Sequence, residues 1–77
     1  MNCLDFLGHT EVKAKTRFPG GKRRRWKDGE GRIYEWDYLH GTVEVWSPRG
    51  DRHLGDFDYI SGRQVGPPDG ARRPVEP

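Results

Sequence analysis

Tyr34-Glu35-Trp36-Asp37-Tyr38-Leu39-His40-Gly41-Thr42-Val43-Glu44 is the stretch that decides the fold. Aromatic and acidic residues alternate up to Asp37, and small β-branched residues alternate with Glu44 after Gly41. A period of two on each side means two strands, and residues 38–41 have the length and the glycine of a hairpin loop. With Asp37 facing Thr42, alternation puts Tyr34, Trp36, Val43 and Val45 on one face. The other face receives Glu35, Asp37, Thr42 and Glu44. Asp37 and Glu44 then become diagonal neighbours, about 7–8 Å apart at Cα.

Working outward, turn signals recur at Asp28-Gly29-Glu30-Gly31, Pro48-Arg49-Gly50-Asp51 and Ser61-Gly62. Short runs rich in aromatic and β-branched residues lie between them. This pattern predicts an antiparallel meander with strands at 23–27, 32–37, 42–47, 52–57 and 63–65. A loop at 48–51 sets Trp46 against His53, adds Leu54 to the apolar face, and places Gly55 opposite Glu44. The fold class is mainly β: one antiparallel sheet of four to five strands. Before it, residues 1–21 form an arm and loop, with Leu4, Phe6 and Leu7 as a short apolar patch or helical turn. After the sheet of residues 22–66, the tail 67–77 carries four prolines and is expected to be irregular.

Seventy-seven residues with 31% hydrophobic content support one domain with a thin core. Three Trp, three Tyr and three Phe must therefore carry much of the burial. The lone Cys3 cannot form an internal disulfide, and no apolar run is long enough to span a membrane. Net charge is only +2, but residues 1–36 hold nine Lys/Arg against five Asp/Glu, whereas residues 37–77 hold five against seven. A cationic half beside an acidic half suits a nucleic-acid footprint next to a carboxylate site.

The polar face holds what cleavage of RNA without a metal requires: a base for the 2′-OH, an acid for the leaving 5′-oxygen and positive charge for the phosphorane. Glu44 suits the base and His40 the acid, with Asp37 holding the imidazole. The run Lys22-Arg23-Arg24-Arg25-Trp26-Lys27 reads as phosphate contact, with Trp26 offered for stacking. Arg72 and Arg73 could bring guanidinium from the tail to the phosphate. The histidines are too dispersed for a structural zinc site, and no metal or other cofactor is expected.

Gly21-Lys22-Arg23-Arg24-Arg25-Trp26, Gly31-Arg32-Ile33-Tyr34-Glu35-Trp36-Asp37, His40-Gly41, Glu44, His53-Leu54-Gly55-Asp56-Phe57-Asp58, Gly62-Arg63-Gln64 and Pro68-Asp69 resemble the cytotoxic ribonuclease domain of the ribosome-inactivating E colicins and cloacin. The resemblance runs from about Gly20 to Arg72. It implies a strongly twisted sheet, cleavage of 16S ribosomal RNA in the decoding centre of the 70S ribosome, and a small acidic immunity protein as partner. It also implies catalytic roles for Asp37, His40, Glu44 and Arg72, with His53 and Arg23 lining the site. Where the family carries a Lys before its Gly-Pro-Asp stretch, this chain has Gly66, and Arg63 is read as the compensating RNA contact.

Receptor-binding and translocation regions are absent from these residues, so either an isolated toxin domain of a larger bacteriocin or a free-standing toxin of a toxin–antitoxin pair is expected, the second being favoured. It would be a monomer when free, acting in the bacterial cytoplasm without a membrane partner. The rival reading is a non-catalytic RNA- or ribosome-binding β module. It would need the cations but not the carboxylate–histidine–carboxylate set, which repels phosphate. A third reading is a protein-interaction domain with no RNA affinity.

Overall fold

The computed structural model describes residues 8–77; the expected patch at Leu4, Phe6 and Leu7 lies outside them. The described residues contain strands and turns and no helix. The strands are β1 (Thr10–Val12), β2 (Arg17–Phe18), β3 (Gly21–Lys22), β4 (Arg25–Lys27), β5 (Ile33–Asp37), β6 (Thr42–Trp46), β7 (His53–Phe57) and β8 (Gln64–Gly66). Six form one antiparallel sheet in the order β1-β4-β5-β6-β7-β8, and β2 and β3 make a separate hairpin. The sheet is mainly as read from the sequence, with one more strand than expected, Thr10–Val12. That strand has little apolar alternation of its own and exists by pairing with Arg25–Lys27.

The central hairpin has the anticipated register, with Asp37 opposite Thr42 and Tyr34 opposite Val45. Its loop closes through the Gly41 amide, which donates to the Asp37 carbonyl at 2.9 Å. Gly41 itself sits at φ +67°, where a side chain would be strained. Val43, Val45 and Trp26 form the apolar core, flanked by Tyr34, Trp36, Leu54, Phe57 and Tyr59.

Two expectations need correction. Trp46 does face His53, but a bulge at Leu54 shifts the pairing, so Val45 faces Gly55 and Glu44 faces Asp56. A bulge is invisible to simple alternation, because one inserted residue moves every later partner. The second correction concerns the polar face. Glu35, Asp37 and Glu44 are only 0%, 3% and 2% exposed, where partial burial of Glu44 is the expectation. The tail covers this face. Val75 donates its amide to the Gly50 carbonyl at 2.8 Å, and Arg25 donates to the Glu76 carbonyl at 2.5 Å. Gly50 admits this crossing because a Cβ there would lie 2.2 Å from the Val75 carbonyl oxygen. The Pro-rich segment thus forms no strand, yet it is tied down by hydrogen bonds.

Candidate active site

The strand register lines up Arg25, Glu35, Glu44 and Asp56 directly across four strands. Three carboxylates in one row, Glu35 and Glu44 buried and Asp56 half-buried, repel each other unless each finds a cation. Arg25 serves Glu35, with Nη2 and Nε donating to Oε2 at 2.7 and 3.0 Å, and both side chains are almost fully buried. The Thr16 hydroxyl donates to the same oxygen at 2.6 Å.

Glu44 is held from both sides. Arg23 donates to Oε2 and Arg72 to Oε1. Arg72 reaches that position because its own turn is built on Asp69: Ala71 donates its amide to Oδ1 at 2.9 Å, and Arg72 Nε donates to Oδ2 at 3.2 Å. The Asp69 amide in turn donates to His53 Nδ1 at 3.0 Å. Accepting there leaves the ring proton of His53 on Nε2, which faces Asp56 Oδ1 at 3.3 Å and Glu44 Oε1 at 3.5 Å. Glu44, Arg23, Arg72 and Arg73 share a cleft of about 320 Å³ with Glu35 and Trp46.

His40 stands exposed in the loop between β5 and β6. Asp37 Oδ1 accepts the amides of Leu39 and His40 at 2.9 and 3.2 Å, which shapes the loop. Its Oδ2 lies 2.7 Å from His40 Nδ1. The ring is therefore oriented through one nitrogen, and Nε2 has no partner among the described residues. Burial pushes the Asp37 carboxyl up, but the His40 ring, the two amides and nearby Arg23 outweigh it and hold the group below its usual value. A lowered carboxylate contributes stability above its unfolded pKa of about 4, and that contribution vanishes as pH falls through the folded value. Urea titrations should therefore show wild type more stable than Asp37→Asn at neutral pH, with the gap closing below about pH 4. A gap independent of pH would contradict the clamp.

Glu44, His53 and Asp56 also bring three ligand atoms within 4.8 Å of one another. The donor set does not fit a metal. A ligating histidine donates through its second nitrogen, whereas His53 accepts there, and Arg72 already lies among the carboxylates.

The family described as Cytotoxic matches residues 2–76. The chain belongs to this family. Colicin E3 from Escherichia coli is 48% identical over 54 residues, which cover 69% of this chain and 10% of that protein. Cloacin and colicin-E6 from the same organism are 48% and 46% identical over 74 residues, 88% of the chain and 13% of each relative. The chain thus spans about a tenth of the length of these relatives.

In this cytotoxic domain Asp37 and Glu44 share one face of the central hairpin, Asp37 paired with His40 and Glu44 with Arg23, Arg72 and His53. Two residues expected to meet RNA are misplaced for it. Arg25 and Trp26 are each 1% exposed, because period two sends one into the ion pair with Glu35 and the other into the apolar core. Arg24 caps that core from outside, 4.9 Å over the Trp26 ring, and pairs with Glu11 at 2.7 Å. Lys22 is exposed in the β2–β3 hairpin, and Arg63 in the turn between β7 and β8. Sequence reasoning missed Asp69, which builds the Arg72 turn, and the Arg25–Glu35 pair. The Asp69-Gly70 turn signal was the one available pointer to the first.

Proposed function

We propose that this cytotoxic domain is a metal-independent endoribonuclease toxin that cleaves 16S ribosomal RNA in the decoding centre and so stops translation. One observation carries the reading: a buried Glu44 gripped by two arginines, on the same face as an aspartate that orients a histidine. The incoming phosphate competes with Glu44 for Arg23 and Arg72. As the guanidiniums turn to the phosphate, a Glu44 oxygen becomes free to take the 2′-OH proton. The 2′-oxygen attacks phosphorus, and the arginines offset the charge of the phosphorane. His40 then gives its Nε2 proton to the departing 5′-oxygen, while the Asp37 carboxylate supports the charged ring. The products are a 2′,3′-cyclic phosphate and a 5′-hydroxyl.

The relatives' names place them among colicins and cloacin, and that kinship supports a ribosomal target, a small acidic immunity protein or antitoxin, and action in the bacterial cytoplasm. Incubation with bacterial 70S ribosomes in chelator should release a short 3′ fragment of 16S RNA, seen on a denaturing gel. Intact RNA at protein concentrations equal to the ribosomes would refute the nuclease. Salt-dependent binding without cleavage would instead favour the RNA-binding module.

A further inference from the structure

Beside His40 the chain exposes apolar surface that neither the core nor the acid–base set uses. Tyr38 and Leu39 are 46% and 84% exposed at the tip of the β5–β6 loop. Phe18, from the separate β2–β3 hairpin, lies over Tyr38 with ring centroids 4.3 Å apart and planes within 10°. Trp36 meets the Tyr38 ring edge-on at 6.4 Å. Gly20 permits the hairpin to close on Phe18, since a Cβ there would lie 2.7 Å from the ring. The hairpin also carries Arg17 and Lys22, paired across its two strands and both exposed.

We infer that Phe18 and Tyr38 form a stacking subsite for one nucleobase, that of the nucleotide immediately 3′ of the cleaved linkage. This rests on the nuclease reading above. The acid must sit at the leaving 5′-oxygen, and that oxygen belongs to the 3′ nucleotide, whose base is therefore the one nearest the loop carrying Tyr38. In-line attack also needs the RNA strand out of regular helical stacking, and an aromatic platform returns part of the unstacking cost. Two coplanar rings, partly open to solvent, extend naturally to a third. Arg17 and Lys22 supply the cations for the next phosphate along the strand. A stack that served only to anchor the hairpin would need neither the exposed Leu39 beside it nor cations on its rim.

The test uses the wild-type protein and an oligonucleotide of the 16S 3′ region containing the cleaved linkage. The sugars are 2′-O-methylated, so no 2′-OH can attack. A set of versions carries one abasic position each. Removing the base 3′ of the linkage should weaken binding about 5- to 100-fold, the worth of one stacked base. Phe18→Ser and Tyr38→Ser should bind the intact and that abasic strand alike, and Tyr38→Phe should restore the difference. A purely structural stack would not discriminate between the two strands. The inference is overturned if wild type ignores the missing base, if the serine variants still sense it, or if the intact strand does not bind at low salt. If the serine variants bind and cleave RNA as wild type does, the patch serves a protein partner instead. A base-dependent difference without ribosome cleavage would remove the nuclease but leave this subsite; cleavage without the difference would do the reverse.

Discussion

Glu44→Gln should lower the rate of 16S cleavage by about 10²- to 10⁴-fold, the usual worth of a positioned general base. The amide keeps the shape of the side chain, and its one oxygen still accepts from Arg23 or Arg72, but its nitrogen faces the other guanidinium and it cannot take a proton. Circular dichroism and a urea titration of the variant separate loss of the base from loss of fold. Single-turnover cleavage of ribosomes measures the effect directly. Full activity in Glu44→Gln would mean that another group removes the 2′-OH proton, and the assignment of the base would fall even if cleavage itself were confirmed.

Arg25→Ala should be the most destabilising single change in the described sheet. Arg25 and Glu35 have side chains 1% and 0% exposed, and Arg25 also holds the tail through the Glu76 carbonyl. Removing one partner of a buried pair leaves the other charge uncompensated, at a cost of about 3–5 kcal/mol. Domains of this size have about 5–15 kcal/mol in total, so a large fraction of the stability is at stake. The urea midpoint should fall sharply, and Arg24→Ala provides the contrast. Its pair with Glu11 is exposed on both sides and its guanidinium lies over the Trp26 ring, contacts worth about 1 kcal/mol or less each. Equal midpoints for the two variants would show that the buried pair is dispensable.

These two residues also mark where sequence reasoning succeeds and where it stops. Glu44 was legible because its neighbours Val43 and Val45 fix which way it points, and the loop 38–41 fixes its register against Asp37. Arg25 was misread because a run of four cations looks like surface. In a strand, however, alternate members face opposite sides, and one of them met a carboxylate across the sheet. Trp26 followed the same alternation into the core, so its stacking role was lost with its exposure. The bulge at Leu54 changed the partner of Glu44 from Gly55 to Asp56 without altering any residue that a pattern could register.

The meander, the central hairpin register and the two faces, with Asp37 and Glu44 sharing one of them, could be read from the residues alone, since all of these follow from local alternation and turn chemistry. Only the tertiary structure decided that the polar face is buried, that Arg72 crosses from the tail onto Glu44, and that Arg25 neutralises Glu35. Those depend on contacts between residues far apart in the chain, and the balance of charge in such a row can be judged only once every member of the row is in place.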